Sequence, residues 1–123
     1  MAALRALFDS NILIDYLNGV AAAKTELARY QTPAISVISW IEVLVGASPK
    51  AESATRRFLS NFEKIEVTDA ISEKAVAFRR EMKLHIPDAI ILATAQTENL
   101  LLVTRNSKDF GAASPGIRVP YRL

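Results

Sequence analysis

Four acidic side chains stand at comparable places in the 123-residue chain, each just after a short apolar run or near the start of a helical pattern. They are Asp9, Glu42, Asp88 and Asp109. Carboxylates that share a partly desolvated cleft repel one another, and their pKa values rise unless a cation compensates. Ligand sets made only of oxygen favour a hard ion such as Mg²⁺ or Mn²⁺. The chemistry predicted for this set is metal-assisted activation of water and stabilisation of the charge that develops on a phosphodiester.

Each of these acids also has a simpler structural explanation. Asp9 fits a helix N-cap, and Glu42 fits a capping box with Ser39 in the segment SWIE. Asp88 fits a partner for a helix dipole, and Asp109 fits a surface loop. Taken singly, the simpler explanations are favoured. Taken together they are weaker, because a cap does not require the apolar neighbours of Asp9, and the helix opened by Asp88 is apolar nearly all round.

The composition excludes several kinds of site. The chain has no cysteine, which excludes disulfides, thiolate zinc sites and a cysteine nucleophile. His85 is the only histidine, so one chain cannot supply a two-histidine metal site. The formal charge is +2, and with four of the 13 acidic residues neutralised the 15 basic residues would exceed the remaining acids by six. That balance favours an acidic partner such as a nucleic acid.

Hydropathy gives no indication of a membrane segment. The first residues, MAALRALFD, lack the long apolar region of a signal peptide. The apolar runs are also much shorter than the roughly 20 residues that span a bilayer. We therefore expect a cytoplasmic protein with no membrane contact.

Hydrophobic periodicity alternates between strand-like and helix-like segments along one domain, residues 1–123. Strands are predicted at 4–8, 34–37, 64–67, 101–104 and 117–120. Helices are predicted at 10–17, 20–30, 39–46, 49–61, 70–83 and 87–99. Alternating strands and helices indicate a three-layer α/β/α sandwich around a mainly parallel sheet. Ligands bind at the carboxyl edge of such a sheet, where we expect the four acids to meet.

The segments that carry the acids resemble the four signature segments of PIN domains. They read FDSNILIDYL, ISVISWIEVLVGA, IPDAIILATA and LVTRNSKDF, beginning at residues 8, 35, 86 and 102. Their order and spacing, and the chain length, are similar to those of the small VapC-type toxins of type II toxin–antitoxin pairs. The resemblance covers nearly the whole chain.

This resemblance implies an endoribonuclease that depends on one or two Mg²⁺ or Mn²⁺ ions. By segment, Asp9, Glu42 and Asp88 take the three best-defined acidic positions. Asp109 is favoured as the fourth, with Asn106 as a neutral helper, although many relatives carry an acid where this chain has Asn106. Ser10 is expected to form a hydrogen bond within the site. The resemblance further implies an RNA substrate, a homodimer, and a small antitoxin that blocks the site in a higher complex.

Basic side chains near these segments are candidates for contacts with RNA phosphates. Arg105 ranks first because it is close to the fourth acid, and Lys108 lies in the same segment. Basic pairs and triplets elsewhere, at 56–57 and 79–83, are at least as well explained as solvated helix faces. Asp15 is expected to be an ordinary acid on a helix surface.

Two other classes of function remain as alternatives. Phosphotransfer enzymes also place an acid after a first strand, but a haloacid-dehalogenase-like enzyme carries a second Asp where this chain has Asn11. A receiver domain would need an acidic pair there and a lysine after a late strand. The second alternative is a PIN-like module that binds RNA or protein without catalysis. Loss of cleavage on substitution of Asp9 or Asp88 would separate the enzyme from the binding module.

Overall fold

A parallel five-stranded sheet forms the centre of the computed structural model, which describes residues 5–111 and 116–123. The strands lie in the order β3-β2-β1-β4-β5. Their bounds are β1 (Ala6–Phe8), β2 (Ala34–Ser36), β3 (Glu63–Ile65), β4 (Leu101–Val103) and β5 (Ile117–Arg118). Each described strand falls within, or one residue outside, a predicted one; the predicted start of the first, at residue 4, lies outside the described residues.

Seven helices connect and cover these strands in the described part of the chain. They are α1 (Ser10–Leu17), α2 (Ala21–Leu27), α3 (Val37–Val45), α4 (Glu52–Leu59), α5 (Asp69–Met82), α6 (Ile86–Thr97) and α7 (Ser107–Phe110). The first six were predicted, α1 with the same bounds. The four-residue α7 was not predicted, because one turn is too short for a helical period to show. No helix among the described residues is long and apolar enough to cross a membrane.

The alternation of side chains along β1 explains the two helical layers. Leu7 packs in a core with buried residues of α5 and α6 and with Phe110 of α7. Ala6 and Phe8 point to the opposite face, where they pack against buried residues of α1, α2, α3 and α4. Successive strand residues face opposite sides of a sheet, so both faces of this apolar strand need a helical cover. The predicted α/β/α sandwich is therefore confirmed.

The start of α3 differs from the capping box predicted with Ser39. The helix begins at Val37, and Ser36, the last residue of β2, is its N-cap. The Ser36 hydroxyl accepts a hydrogen bond from the Ile38 N–H at 3.1 Å. Ser39 is instead fully buried inside the helix, and Glu42 lies beyond the first turn. Ser36 and Ser39 could each serve as an N-cap by their residue type. Ser36 is the cap because β2 ends there.

Replacing Ser36 with Ala is expected to lower the free energy of unfolding by about 1 kcal/mol, because a buried helix start loses its side-chain acceptor. Urea unfolding followed by circular dichroism measures the change. Ser72→Ala, on the exposed side of α5, is the control and should be neutral or slightly stabilising. An unchanged midpoint for the Ser36 variant would contradict the assigned cap.

Candidate active site

Asp9 lies where β1 ends and α1 begins, and its carboxylate has both a structural and an electrostatic role. It caps α1 by accepting a hydrogen bond from the Ser10 N–H at 2.7 Å. Its other oxygen accepts from the Thr104 hydroxyl at 2.7 Å and from the Asn11 amide at 3.4 Å. The residue is only 5% exposed. The cap predicted from the sequence is therefore present, but it is buried among polar groups from two separate segments.

Burial makes Asp9 an unusually weak acid. Desolvation raises its pKa to about 6, and the nearby charges of Asp88 and Glu42 push it in the same direction. Hydrogen bonds from Thr104 and the Ser10 backbone oppose this rise, because they stabilise the charged form. A buried carboxylate with two acidic neighbours is unfavourable for folding, and such perturbed groups concentrate at functional sites.

Asp88 lies in the first turn of α6, as predicted, and it links the remaining acids electrostatically. Its pKa is raised first by partial burial and then by the charges of Asp109 and Glu42, while His85 acts in the opposite direction. His85 is exposed and is the N-cap residue of α6 without a capping side-chain bond. The charges of Asp88 and Glu42 thus act on Asp9, and those of Asp109 and Glu42 act on Asp88.

Ser10 connects α1 to α3. Its hydroxyl lies 2.6 Å from a carboxylate oxygen of Glu42 and 3.0 Å from the hydroxyl of the buried Ser39. A hydroxyl has a single proton, and the shorter distance to the charged acceptor favours donation to Glu42. This bond sets the direction in which the Glu42 side chain leaves its helix.

Asn106 and Asp109 are joined by two hydrogen bonds. The Asn106 side-chain oxygen accepts from the Asp109 N–H at 3.2 Å, which caps α7, and its amide donates to the Asp109 carboxylate at 3.0 Å. The Asn106 N–H donates to the Thr104 hydroxyl at 3.0 Å. Because Thr104 also donates to Asp9, a continuous chain of hydrogen bonds runs from Asp9 to Asp109. In this arrangement Asn106 holds the acid that was favoured as the fourth one.

Thr104 and Asn11 are the residues that sequence reasoning missed. Thr104 is fully buried and bonds to Asp9, and Asn11 accepts from the Arg105 N–H at 3.1 Å while its amide faces Asp9 and Thr104. Both lie inside the segments already singled out for their acids. A small polar residue directly after an apolar strand was the available signal for Thr104. Nothing local distinguished Asn11 from an ordinary helix residue.

Asp15 is not the surface acid that was expected. It is 5% exposed, and Arg105 binds it with two hydrogen bonds of 2.7 and 3.0 Å. The Tyr121 hydroxyl donates a third at 2.8 Å. Burial by itself raises the pKa of Asp15, but these bonds from Arg105 and Tyr121 hold it below its ordinary value. The Arg105 guanidinium is thus paired with Asp15, which argues against contact with an RNA phosphate as its main role.

The other basic candidates lie on helix surfaces. Lys108 is exposed on α7, next to Asp109. Arg56 pairs with Glu52 at 3.0 Å along α4, as a solvated helix face would. The side chains from the cluster at 79–83 are exposed and lie at the end of α5: Arg79, Arg80 and Lys83.

The donor set at this edge suits a hard divalent cation. Asp9, Asp88, Glu42 and Asp109 offer carboxylate oxygens, and the mutual repulsion of the acids is the kind that a cation relieves. The carboxylates are not gathered as closely as the ligands of a metal ion would be. Among residues 5–111 and 116–123, no group of three or more acidic or histidine side chains is arranged to hold a metal ion. Ligand type therefore agrees with a metal, whereas binding would require the carboxylates to converge further.

Comparisons with known proteins agree with this architecture. The model of the PIN domain family matches residues 6–114. Ribonuclease VapC10 of Mycobacterium tuberculosis is 36% identical over 112 residues, which are 85% of this chain and 84% of that protein. A toxin-antitoxin complex from Klebsiella pneumoniae contains a chain with 50% identity and a TM-score of 0.91, covering 96% of this chain and 99% of that one. VapBC2 from Rickettsia felis, bound to a DNA fragment from its promoter, has a TM-score of 0.72 at 25% identity, covering 94% and 96%.

Proposed function

This chain belongs to the PIN-domain family and is of the VapC type, and on that premise we propose that it is a metal-dependent endoribonuclease acting as the toxin of a toxin–antitoxin pair. The observation that carries the proposal is the hydrogen-bond network at one sheet edge that links the buried Asp9 to Glu42 through Ser10 and to Asp109 through Thr104 and Asn106. The charge of Asp88 acts on Asp9 from the same edge. Acids placed only as caps or dipole partners would not need to interact with one another.

In this proposal the carboxylates of Asp9, Asp88, Asp109 and Glu42 hold one or two Mg²⁺ or Mn²⁺ ions. When bound, such an ion lowers the pKa of a coordinated water and stabilises negative charge on the phosphate oxygens. The supporting residues orient the carboxylates. The Thr104 hydroxyl fixes one oxygen of Asp9, and Ser10 fixes one oxygen of Glu42.

Asn106 has a distinct place in this scheme. It is neutral, its amide already donates to Asp109, and its own side-chain oxygen caps α7. We therefore assign the fourth carboxylate to Asp109 and a positioning role to Asn106. Lys108, exposed beside Asp109, is retained as a candidate RNA contact.

The proposed antitoxin follows from the similar proteins. The similar Klebsiella chain occurs in a toxin-antitoxin complex, and the similar Rickettsia pair was solved on promoter DNA. We propose a cognate antitoxin, a homodimer and a higher toxin–antitoxin complex for this chain, with RNA as the substrate in the cytoplasm. A small antitoxin segment that covers the sheet edge would inhibit cleavage by excluding RNA from the acids.

The direct test is cleavage of a mixed RNA pool by the purified chain with Mg²⁺ or Mn²⁺, and with EDTA in place of the ion. We expect endonucleolytic products that EDTA abolishes. A wild-type protein that binds RNA but leaves it intact with either ion would instead indicate a non-catalytic PIN-like module.

The assignment of the fourth acid predicts an ordered loss of activity. Asn106→Ala should reduce cleavage by about 10–100-fold, as expected for a residue that orients a ligand, and Asp109→Asn should reduce it further. Initial rates on one RNA oligonucleotide measure both. Glu73→Gln, an exposed acid on α5, is the control and should cleave at the wild-type rate. A larger loss for the Asn106 variant than for the Asp109 variant would reverse the two roles.

A further inference from the structure

Arg105 is tied to α1 by both its backbone and its side chain. Its N–H donates to the Asn11 side chain at 3.1 Å, and its guanidinium forms two hydrogen bonds to Asp15. Asp15 also accepts from Tyr121, near the end of the chain. Three segments that are distant in sequence therefore meet at one buried carboxylate. A charge buried to this degree is strongly unfavourable without its partner, so the contact is firmly held.

Arg105 stands between two residues that hold acids of the proposed site, so its contact with Asp15 also affects them. Arg105 lies between Thr104, which donates to Asp9, and Asn106, which holds Asp109. The stretch from Thr104 to Asp109 contains only the first three residues of the short α7 as regular structure. The Thr104 N–H donates to the Arg118 carbonyl at 3.0 Å, and Phe110 anchors the end of α7 in the core. Between these two points the contacts to α1 come from side chains, and those of Arg105 are among them.

We propose that Arg105 is a positioning residue for the reaction, which through its pair with Asp15 holds the segment carrying Thr104, Asn106 and Asp109 against α1. This inference rests on the proposed nuclease function. The planar guanidinium donates two hydrogen bonds in fixed directions and therefore fixes the orientation of the segment. A lysine ammonium would not fix it in this way. Misplacing a reacting group by about 1 Å can reduce a rate by about 100-fold.

The fold contains a matched control for this proposal. Arg118 in β5 binds the buried Glu26 of α2 with hydrogen bonds of 2.7 and 3.0 Å, and the Tyr30 hydroxyl donates to the same carboxylate at 2.9 Å. Both arginine side chains are 34% exposed, and the two carboxylates are 6% and 4% exposed. The hydrogen bonds of the two triads have nearly the same lengths, but only the first triad includes a residue of the segment that carries Thr104, Asn106 and Asp109.

The decisive comparison is between Arg105→Gln and Arg118→Gln. Both variants should show a lower melting temperature, because each loses the main partner of a buried carboxylate. The decrease should be smaller for Arg118→Gln, since Arg29 lies 3.9 Å from Glu26. Only Arg105→Gln should lose kcat, on the order of 100-fold, with KM for an RNA oligonucleotide nearly unchanged. Tyr121→Phe and Tyr30→Phe form a milder matched pair, which keeps the comparison usable if the arginine variants fold poorly. Equal losses of kcat in a matched pair would overturn the proposal.

Asp15→Asn distinguishes positioning from a direct phosphate contact by Arg105. Positioning requires the pair, so this variant should lose kcat as Arg105→Gln does. If Arg105 instead bound RNA, freeing its guanidinium would preserve or tighten binding. Loss of Arg105 would then raise KM and reduce the slope of log binding constant against log salt by about one.

Amide hydrogen exchange provides a measurement that does not depend on cleavage. Arg105→Gln should accelerate exchange in residues 105–110 relative to wild type, whereas Arg118→Gln should leave these residues unchanged. The Thr104 amide is left out of the comparison because it donates to the Arg118 carbonyl. An inactive wild type would count against the proposed function alone, and the exchange data would still decide the positioning. Wild-type exchange and wild-type kcat in the Arg105 variant would refute the positioning alone.

Discussion

Asp9→Asn is expected to reduce RNA cleavage by about 1000-fold or more while the protein remains folded. Asparagine has nearly the same size as aspartate and is an equally good N-cap, so the hydrogen bond to the Ser10 N–H can be kept. The substitution removes the negative charge that would bind the cation. Losses of this size are typical when a group that stabilises transition-state charge is removed. Initial cleavage rates and far-ultraviolet circular dichroism measure the two properties together.

Asp88→Asn should have a comparable effect, and α5 supplies its control. Asp69 also lies in the first turn of a helix, so Asp69→Asn removes the same favourable interaction with a helix dipole at an exposed position. If Asp88 served only the dipole, the two variants would behave alike. We expect the Asp69 variant to cleave normally. Unfolding of both the Asp9 and Asp88 variants would instead support a purely structural role for these acids.

The second large effect concerns stability in the absence of divalent ions. The pKa of Asp9 is about 6 in the folded protein and near 3.8 in the unfolded chain. Between these values the folded state binds the proton more strongly, so unfolding releases it and stability falls as pH rises. The stabilising contribution of the protonated form is complete below about pH 4 and is lost above about pH 6. The corresponding free-energy change is about 3 kcal/mol.

Asp9→Asn cannot titrate and should lack this decrease. We therefore expect its free energy of unfolding, relative to wild type, to rise by a few kcal/mol between pH 4 and pH 8. Urea unfolding in EDTA at the two pH values measures the difference. Adding Mg²⁺ at pH 8 should stabilise wild type more than the variant, since only wild type keeps the full set of acids. A pH-independent difference would show that Asp9 titrates normally in the folded state.

Local patterns were sufficient for most of the secondary structure. The apolar triplet at β1, the helical spacing in α1 and the proline near the start of α6 all act within a few residues. They were predicted for that reason. The start of α3 was placed too late because Ser36 and Ser39 both satisfy local capping rules. Only the end of β2 in the assembled sheet distinguishes them.

The candidate site also has a part that local sequence patterns predict and a part that depends on contacts distant in sequence. The four acids were predicted as candidates from their repeated placement after apolar runs and from the resemblance of four segments to PIN domains. The effect of their charges on one another could not be predicted in this way. The weak acidity of Asp9 depends on burial, and the hydrogen bond that opposes it comes from Thr104, which is 95 residues away in sequence. The role of Arg105 depends on Asp15, 90 residues away, and a charged residue with helical spacing gives no local sign that it is buried.

The sequence by itself determined which side-chain donors are available, the order of the strands and of the first six helices along the chain, and the family. Oxygen ligands without cysteine, and periodicities of two and 3.6 residues, are properties of composition and near neighbours. Only the tertiary structure decided which acid is buried, that Arg105 is held in an ion pair, and which hydroxyls orient Asp9 and Glu42. Burial and long-range hydrogen bonds arise when the two helical layers close over the sheet, and desolvation then sets the energies of the charges that lie between them.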